Sequence, residues 1–425
     1  MTILDWKNPL IIALLLIPAL GANVLICRSG LNDRPINSYS PFSGDALEYT
    51  DLAQKLEVGM PFSLVFSNAY RLPGYPTFLA LCARISESPW LLARLIQIFL
   101  GSLVVVLFGS LVLHITSDWR IIYIGMATAI IWQPLHYFGA ILYPEALSIF
   151  FLALLMFILG KFSHYSIGMI VAGSILAMMV YLKPNHILFV VPVIGYVMAS
   201  GREYRAKALL VAITVFALIA PWSVFASVNN GRLIPLSTTQ GYNLLIGSGG
   251  HPQGCSLTRD GLVQIAYKKL KLEAISVVVA SDDQGPPAPP PHTHGQVDQF
   301  SSDRALSRWK AAPLKLSAYG AIKFLHAMGF SFRGAKDAAL ALFSILSAFS
   351  AVLLWRRGLY RKWRVFYALC VLMLFLQTFL FLYKQRFRVV LFDLPALLMI
   401  VLAIKALLDQ RTVSRRTADS VEIVN

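Results

Sequence analysis

Charged residues are scarce in this chain. Only 14% of its 425 residues are Asp, Glu, Lys or Arg, whereas 57% are apolar, and the mean hydropathy is +0.65. This composition excludes a soluble globular protein of this length, because the surface of such a protein needs many more charged side chains. The scarcity of charge instead predicts a polytopic membrane protein.

Cysteine is also rare, with four residues in the whole chain. Cys27, Cys82, Cys255 and Cys370 are scattered without paired spacing, so they indicate neither a zinc site nor a disulfide framework. A bridge between Cys27 and Cys255 stays open, since both fall in segments that we expect on the same side of the membrane.

Acidic residues are fewer than basic ones, 21 against 37, and the formal net charge is +16. The sequence lacks a basic patch interleaved with stacking aromatics, which excludes nucleic acid as a partner. We attribute the excess to cytoplasmic loops and to attraction by lipid headgroups. His292 and His294 lie in a Pro-rich insertion near 285–295, where two histidines alone do not supply the ligands of a metal site.

Apolar runs long enough to cross a bilayer recur along nearly the whole chain. We therefore predict an all-α polytopic membrane protein with about ten transmembrane helices. The predicted spans are 9–27, 89–115, 121–138, 144–160, 167–181, 187–199, 206–228, 338–355, 365–383 and 389–408. The first run resembles a signal peptide, but its length favours a retained span.

Basic residues in short loops predict the orientation, because Lys and Arg stay on the cytoplasmic side. The predicted organisation has four parts. Residues 1–228 form an N-terminal transmembrane core whose first outer loop, 28–74, bears amphipathic helices. A long outer loop, 229–336, precedes the last three spans, which lie within 337–408, and 409–425 is a cytoplasmic tail.

The first outer loop carries acids in a helical pattern. Asp45, Glu48 and Tyr49 share one face if Ser43 caps a helix that ends near Gly59. The pattern admits two interpretations: acids in a first helical turn complement the helix dipole, and acids beside a membrane also bind polar substrates or move protons.

Two further charges stand at span ends. Glu145 follows Pro144 and opens an apolar run, which fits either a helix N-terminus or a functional site. Lys183 interrupts an apolar stretch just before Pro184 and Asn185, where it either snorkels to the interface or binds an anion.

A pair of arginines opens the last span. Arg386 and Arg388 would stand on the outer face, where positive charge is not needed for topology. Because guanidinium groups bind phosphate oxygens bidentately, the pair indicates a phosphate clamp; the alternative is an interfacial anchor.

Several of these motifs occur in an order that resembles a known family. The order is Asp45-Ala46-x-x-Tyr49, Arg71-x-Pro73-Gly74-Tyr75-Pro76, Tyr143-Pro144-Glu145-Ala146-Leu147, Leu182-Lys183-Pro184-Asn185, the segment 237–247, and Gln385-Arg386-Phe387-Arg388 with Pro395. It is similar to bacterial GT-C-type membrane glycosyltransferases, above all to the dolichyl-phosphate-mannose protein mannosyltransferase group that includes the aminoarabinose transferases of lipid A. Leu72 departs from the usual Arg-Pro-Pro, Asp45 lacks an adjacent second acid, and 257–299 matches nothing in that pattern.

The resemblance implies a glycosyltransferase that uses a polyprenyl-phosphate-linked sugar on the extracytoplasmic face of a bacterial inner membrane, with inversion at the sugar. The acceptor would be a lipid, a glycan or a protein. Asp45 would be the catalytic base, and the substrate-binding residues would be Glu48, Tyr49, Arg71, Glu145, Lys183, Asn185, Arg386 and Arg388. We assign no metal, although Asp45 and Glu145 are a pair of oxygen donors suited to a divalent cation.

Two other classes of protein share a polytopic fold with charged residues. A lipid-linked glycan flippase or transporter usually carries its charges in mid-span and shows inverted repeats. A glycan polymerase or ligase has large outer loops and basic residues. The charges of this chain fall at span ends, which favours chemistry at the membrane surface.

Overall fold

The structure is a computed structural model. It describes residues 45–248, 294–330, 335–381 and 385–422, with short helical pieces between 16 and 25, and only the backbone for 411–422. Throughout these ranges the regular secondary structure is helical, without a β-strand.

The α-helices in chain order are α1 (Asp45–Glu57), α2 (Phe62–Val65), α3 (Gly74–Ile85), α4 (Pro89–Thr116), α5 (Trp119–Ile131), α6 (Glu145–Phe162), α7 (Ser166–Leu182), α8 (Val190–Met198), α9 (Arg205–Asn230), α10 (Gln240–Gly247), α11 (His294–Ala311), α12 (Pro313–Ala327), α13 (Ala335–Arg356), α14 (Arg361–Leu380), α15 (Gln385–Arg388) and α16 (Leu394–Glu422). Short 3₁₀ segments follow α5 and α7, and a π-helical turn, Val389–Asp393, joins α15 to α16.

Six helical stretches within the described ranges are long and apolar enough to span a bilayer: α4, α6, α9 with the short turn before it, α13, α14, and Arg386–Gln410. Each lies within a few residues of a predicted span. The chain is thus an all-α protein with the long apolar helices of a multi-pass membrane protein.

The predicted number of ten spans is not confirmed. The span predicted at 121–138 is broken at Trp132, where the two parts meet at 70°, and it gives a seventh crossing only if the bent pair counts as one span. Pro134 explains the break, because it has no N–H to bond the Ile130 carbonyl and its ring would clash with that carbonyl in a continued α-helix. The two spans predicted on either side of Lys183 are present as α7 and α8, which are shorter than the six long helices. The predicted span 9–27 lies largely outside the described residues.

The six spans differ in how much of each is buried inside the protein. The span Arg386–Gln410 is the most buried of the six, and α9 is the least buried. The exposed side chains Leu209, Ile213 and Phe216 of α9 form an apolar stripe at helical spacing. Such a stripe suits contact with lipid and would be unfavourable in water.

A helix is present at Asp45–Glu57, where the sequence predicts one that ends near Gly59. Gly59 adopts a positive φ of 81° just after it, a conformation that glycine adopts without strain. The predicted cap, Ser43, lies outside the described residues. In the segment predicted as a tail, the backbone of α16 continues as a helix to Glu422.

Candidate functional site

Six ionisable side chains from five separate segments meet at one place, which we call the ion cluster. Three are carboxylates and three are cations, so their formal charges balance. The members are Asp45 and Glu48 of α1, Arg71 before α3, Glu145 at the start of α6, Lys183 after α7, and Arg386 of α15.

Two arginines hold Asp45. Its Oδ1 lies 3.1 Å from Arg71 Nη2, and its Oδ2 accepts a hydrogen bond from Arg386 Nη2. Arg71 also reaches Glu48, whose Oε2 lies 2.6 Å from Nη2 and accepts a hydrogen bond of 2.7 Å from Nε. The i, i+3 spacing on α1 thus presents two carboxylates to one guanidinium group.

Glu145 forms the buried end of the cluster. Its Oε1 accepts a hydrogen bond from Lys183 Nζ and lies 3.3 Å from Arg386 Nε. Its Oε2 is buried without a hydrogen-bond partner among the described residues. Side-chain exposure falls from 44% at Glu48 to 17% at Asp45 and 1% at Glu145, so the cluster runs from the surface into the helix bundle.

Aromatic rings line the cluster. Arg71 lies 5.1 Å from the ring centroid of Tyr49, Arg386 lies 5.0 Å from that of Tyr143, and Lys183 Nζ lies 4.8 Å from that of Phe387. These cation–π contacts stabilise the charged form of the cations where few water molecules can solvate them. Burial raises the pKa of the Tyr49 and Tyr143 hydroxyls, although neighbouring arginines oppose the shift, so both remain neutral proton donors near pH 7.

A close backbone approach brings the first outer loop to Lys183. A Cβ at Gly74 would lie 2.7 Å from the carbonyl carbon and oxygen of Tyr181, so only glycine permits this packing. Next to it, the Tyr75 hydroxyl donates a 2.7 Å hydrogen bond to Gln97 Oε1, and Gln97 Nε2 donates one of 2.8 Å to the Ile141 carbonyl. The turn that leads to Glu145 is therefore held by the same motif that carries Arg71.

The segment 237–247 packs beside the first outer loop. The Thr238 N–H donates a 3.0 Å hydrogen bond to the Ala69 carbonyl, two residues before Arg71. Asp298 Oδ1 accepts a 2.6 Å hydrogen bond from the Gly241 N–H at the start of α10. Burial raises the pKa of Asp298, while its helix N–H partners and Arg232 oppose the shift.

Two of the predicted substrate-binding residues have other surroundings. Asn185 follows Lys183, and its Oδ1 is buried without a hydrogen-bond partner in the described part of the chain. Arg388 is buried; its Nε lies 3.2 Å from Asp393 Oδ1, and its guanidinium carbon lies 5.6 Å and 5.4 Å from the ring centroids of Phe343 and Phe392. Arg386 and Arg388 thus contact different groups, and a shared clamp stays a prediction.

Several residues of this region were not predicted from the sequence. Gln97 and Asp393 are polar side chains inside apolar spans, a placement that by itself signals a structural or functional role. Tyr143 and Trp132 carry no such signal, because aromatic residues are common near membrane interfaces.

The described residues contain no group of three or more His, Cys, Asp or Glu side chains arranged to hold a metal ion. Cys82 and Cys370 are buried free thiols. Cys27, Cys255 and His292 lie outside the described residues, and the His294 ring lies 5.9 Å from that of Tyr70.

Comparisons of the chain with models of protein families, with curated proteins and with solved structures find no match.

Proposed function

We propose that the chain is an integral membrane glycosyltransferase that moves a sugar from a polyprenyl-phosphate donor to a lipid, glycan or protein acceptor. The observation that carries the proposal is the ion cluster. Motifs whose order resembles the GT-C enzymes converge there from segments up to 341 residues apart, at the ends of apolar helices. By the same resemblance, we propose an extracytoplasmic active site in a bacterial inner membrane.

The cluster has the composition that a phosphate site needs. In the ligand-free chain, the cations Lys183 and Arg386 are neutralised by Glu145 and Asp45. A lipid phosphate is an anion that can replace these carboxylates as the partner of the cations. Its lipid tail would remain beside the apolar helices that carry the cluster.

We propose that donor binding also activates the base. Both oxygens of Asp45 face guanidinium groups, so Asp45 can take a proton readily only after one of these has moved away. If the donor phosphate draws Arg386 to itself, Asp45 keeps Arg71, and its Oδ2 becomes available to accept a proton. The enzyme would then form its base only when the donor is present.

We propose a transfer step in which each of these residues has a role. The acceptor oxygen attacks the anomeric carbon and gives its proton to Asp45. The bond between that carbon and the phosphate oxygen breaks, and its electron pair leaves with the phosphate. Lys183 and Arg386 stabilise the charge that grows there. Attack opposite the phosphate inverts the sugar, and Glu48, Tyr49, Arg71, Glu145 and Asn185 are left to position the donor sugar or the acceptor.

A lipid-linked glycan transporter is the second candidate. The observation that favours it is the helix interrupted at Trp132, where the two parts meet at 70°, since discontinuous helices are typical of transporters.

A transfer assay distinguishes the two functions. Membranes that contain the wild-type chain, Asp45→Asn or Asp51→Asn receive a radiolabelled polyprenyl-phosphate sugar. Asp51 is a matched control, because it lies on the same helix, is exposed, and pairs only with Lys55 at 2.7 Å among the described residues. We expect label in a new lipid, glycan or protein with the wild type and Asp51→Asn, and none with Asp45→Asn. Wild-type transfer by Asp45→Asn would refute the assigned base. No transfer from any donor, together with accumulation of flipped lipid on the outer leaflet, would establish the transporter.

A further inference from the structure

The span that carries Arg386 begins with an irregular turn. Val389–Asp393 is a π-helical turn between α15 and the long helix α16. A π-helical turn contains an extra residue, so the residues before it are rotated by about 100° from the direction that a regular α-helix would give them. Such turns are frequent at functional sites. Arg386 lies three residues before this one, in the short helix α15 that leads into it.

A buried ion pair spans the π-helical turn. Arg388 Nε lies 3.2 Å from Asp393 Oδ1, and the two side chains are 1% and 0% exposed. Residues five apart point about 140° away from each other in an α-helix, whereas i→i+5 hydrogen bonding brings them to one face. The pair therefore depends on the π-helical turn. Converting the turn to a regular helix would leave both charges buried and unpaired, at a high energetic cost.

A hydrogen bond connects this turn to a second irregular element. Trp132 Nε1 donates a 2.8 Å hydrogen bond to Asp393 Oδ2, and its ring stacks on Phe343 at 3.9 Å. Trp132 stands at the 70° break, and the chain continues from there to Glu145. One bond thus links the element that leads to Arg386 with the element that leads to Glu145.

We propose that Arg388, Asp393 and Trp132 are positioning residues. Their buried contacts hold the π-helical turn and thereby aim Arg386 at Asp45 and Glu145. This role differs from a direct contact of Arg388 with the donor phosphate. Its importance for sugar transfer rests on the proposed function, but the placement of Arg386 can be tested without any transfer.

The first test measures that placement by cross-linking. Asp45→Cys and Arg386→Cys are introduced together and joined with a short bismaleimide. The native Cys82 and Cys370 are buried and can stay, whereas Cys27 and Cys255 are replaced by serine.

The tested variant in this background is Asp393→Asn, which keeps an acceptor for the Trp132 N–H and removes the charge. Asp409→Asn is the matched control, since Asp409 is an exposed acid of the same helix. We expect cross-linking to fall several-fold with Asp393→Asn and to be unchanged with Asp409→Asn. An unchanged rate with Asp393→Asn would overturn the proposal.

The second test measures transfer in chains that keep Asp45 and Arg386. A displacement of about 1 Å at a reacting group costs about 100-fold in rate, so we expect a loss of that order in kcat with Asp393→Asn. If Arg388→Gln loses donor use while Asp393→Asn transfers normally, Arg388 acts on the substrate and the proposal is wrong. If the wild type transfers nothing, the proposed function fails, while the cross-linking result still decides the placement.

Size-exclusion chromatography shows whether Asp393→Asn folds. If it does not fold, a third variant, Trp132→Phe, tests the proposal instead. Trp132→Phe keeps the stacking on Phe343 and removes only the N–H that reaches Asp393. Reduced cross-linking in this folded variant supports the proposal, and wild-type cross-linking refutes it.

Discussion

Neutralising Glu145 is the most informative perturbation of the ion cluster. Its side chain is 1% exposed and faces two cations, Lys183 and Arg386. Glu145→Gln keeps the shape and one hydrogen-bond acceptor, but it leaves the cluster with three cations and two carboxylates. The variant therefore isolates the charge from the packing.

The expected loss of stability follows from burial. Breaking a buried ion pair by removing one partner costs about 3–5 kcal/mol, because the remaining charge is left without compensation. The glutamine oxygen still accepts a hydrogen bond from Lys183, so we expect the lower end, about 3 kcal/mol.

The same substitution should strengthen binding of a lipid phosphate. A negative charge about 6 Å from a bound phosphate repels it by about 3 kcal/mol at an effective dielectric constant of 20. Even half of that repulsion corresponds to about a tenfold change in Kd. Glu145→Gln should thus be less stable than the wild type and bind the anion about tenfold more tightly.

Thermal unfolding in detergent, followed by tryptophan fluorescence, measures the loss of stability. The same measurement with and without polyprenyl phosphate measures the change in binding. Glu87→Gln is the control, because Glu87 is exposed in the turn between α3 and α4. A wild-type unfolding temperature for Glu145→Gln, or weaker stabilisation of this variant than of the wild type by polyprenyl phosphate, would refute the assigned role of the Glu145 charge.

Two further predictions concern the packing around the cluster. Gly74→Ala places a Cβ 2.7 Å from the Tyr181 backbone, so we expect it to lower the free energy of unfolding by about 1–3 kcal/mol, as measured by thermal unfolding. Gly21→Ala has open space around its Cβ and should lower it little. Equal stability of the two variants would contradict the close packing at Gly74. Burial raises the pKa of Asp298, so its ionised form is disfavoured in the fold and the wild type should lose stability relative to Asp298→Asn as pH rises through and above the ordinary aspartate range. Melting curves of the two chains from acidic to neutral pH test this, and the opposite slope would mean that the α10 N–H groups and Arg232 outweigh burial.

The sequence alone determined the class of protein and most of its local structure. Runs of about 20 apolar residues specify a spanning helix without help from the rest of the chain, and six of them appear in the structure close to the predicted positions. The pattern of Asp45, Glu48 and Tyr49 likewise indicated α1, because helical periodicity depends only on near neighbours. The motif residues could be nominated one by one for the same reason.

Tertiary structure decided which of these residues meet. Asp45 and Arg386 are 341 residues apart, and no local pattern reports that one guanidinium bridges Asp45 and Glu145. The 70° bend at Trp132 divides a stretch that the sequence predicts as one crossing. Finally, one extra residue in the π-helical turn rotates Arg386 by about 100° relative to α16, and we propose that the contacts of Asp393 with Arg388 and Trp132 hold that turn.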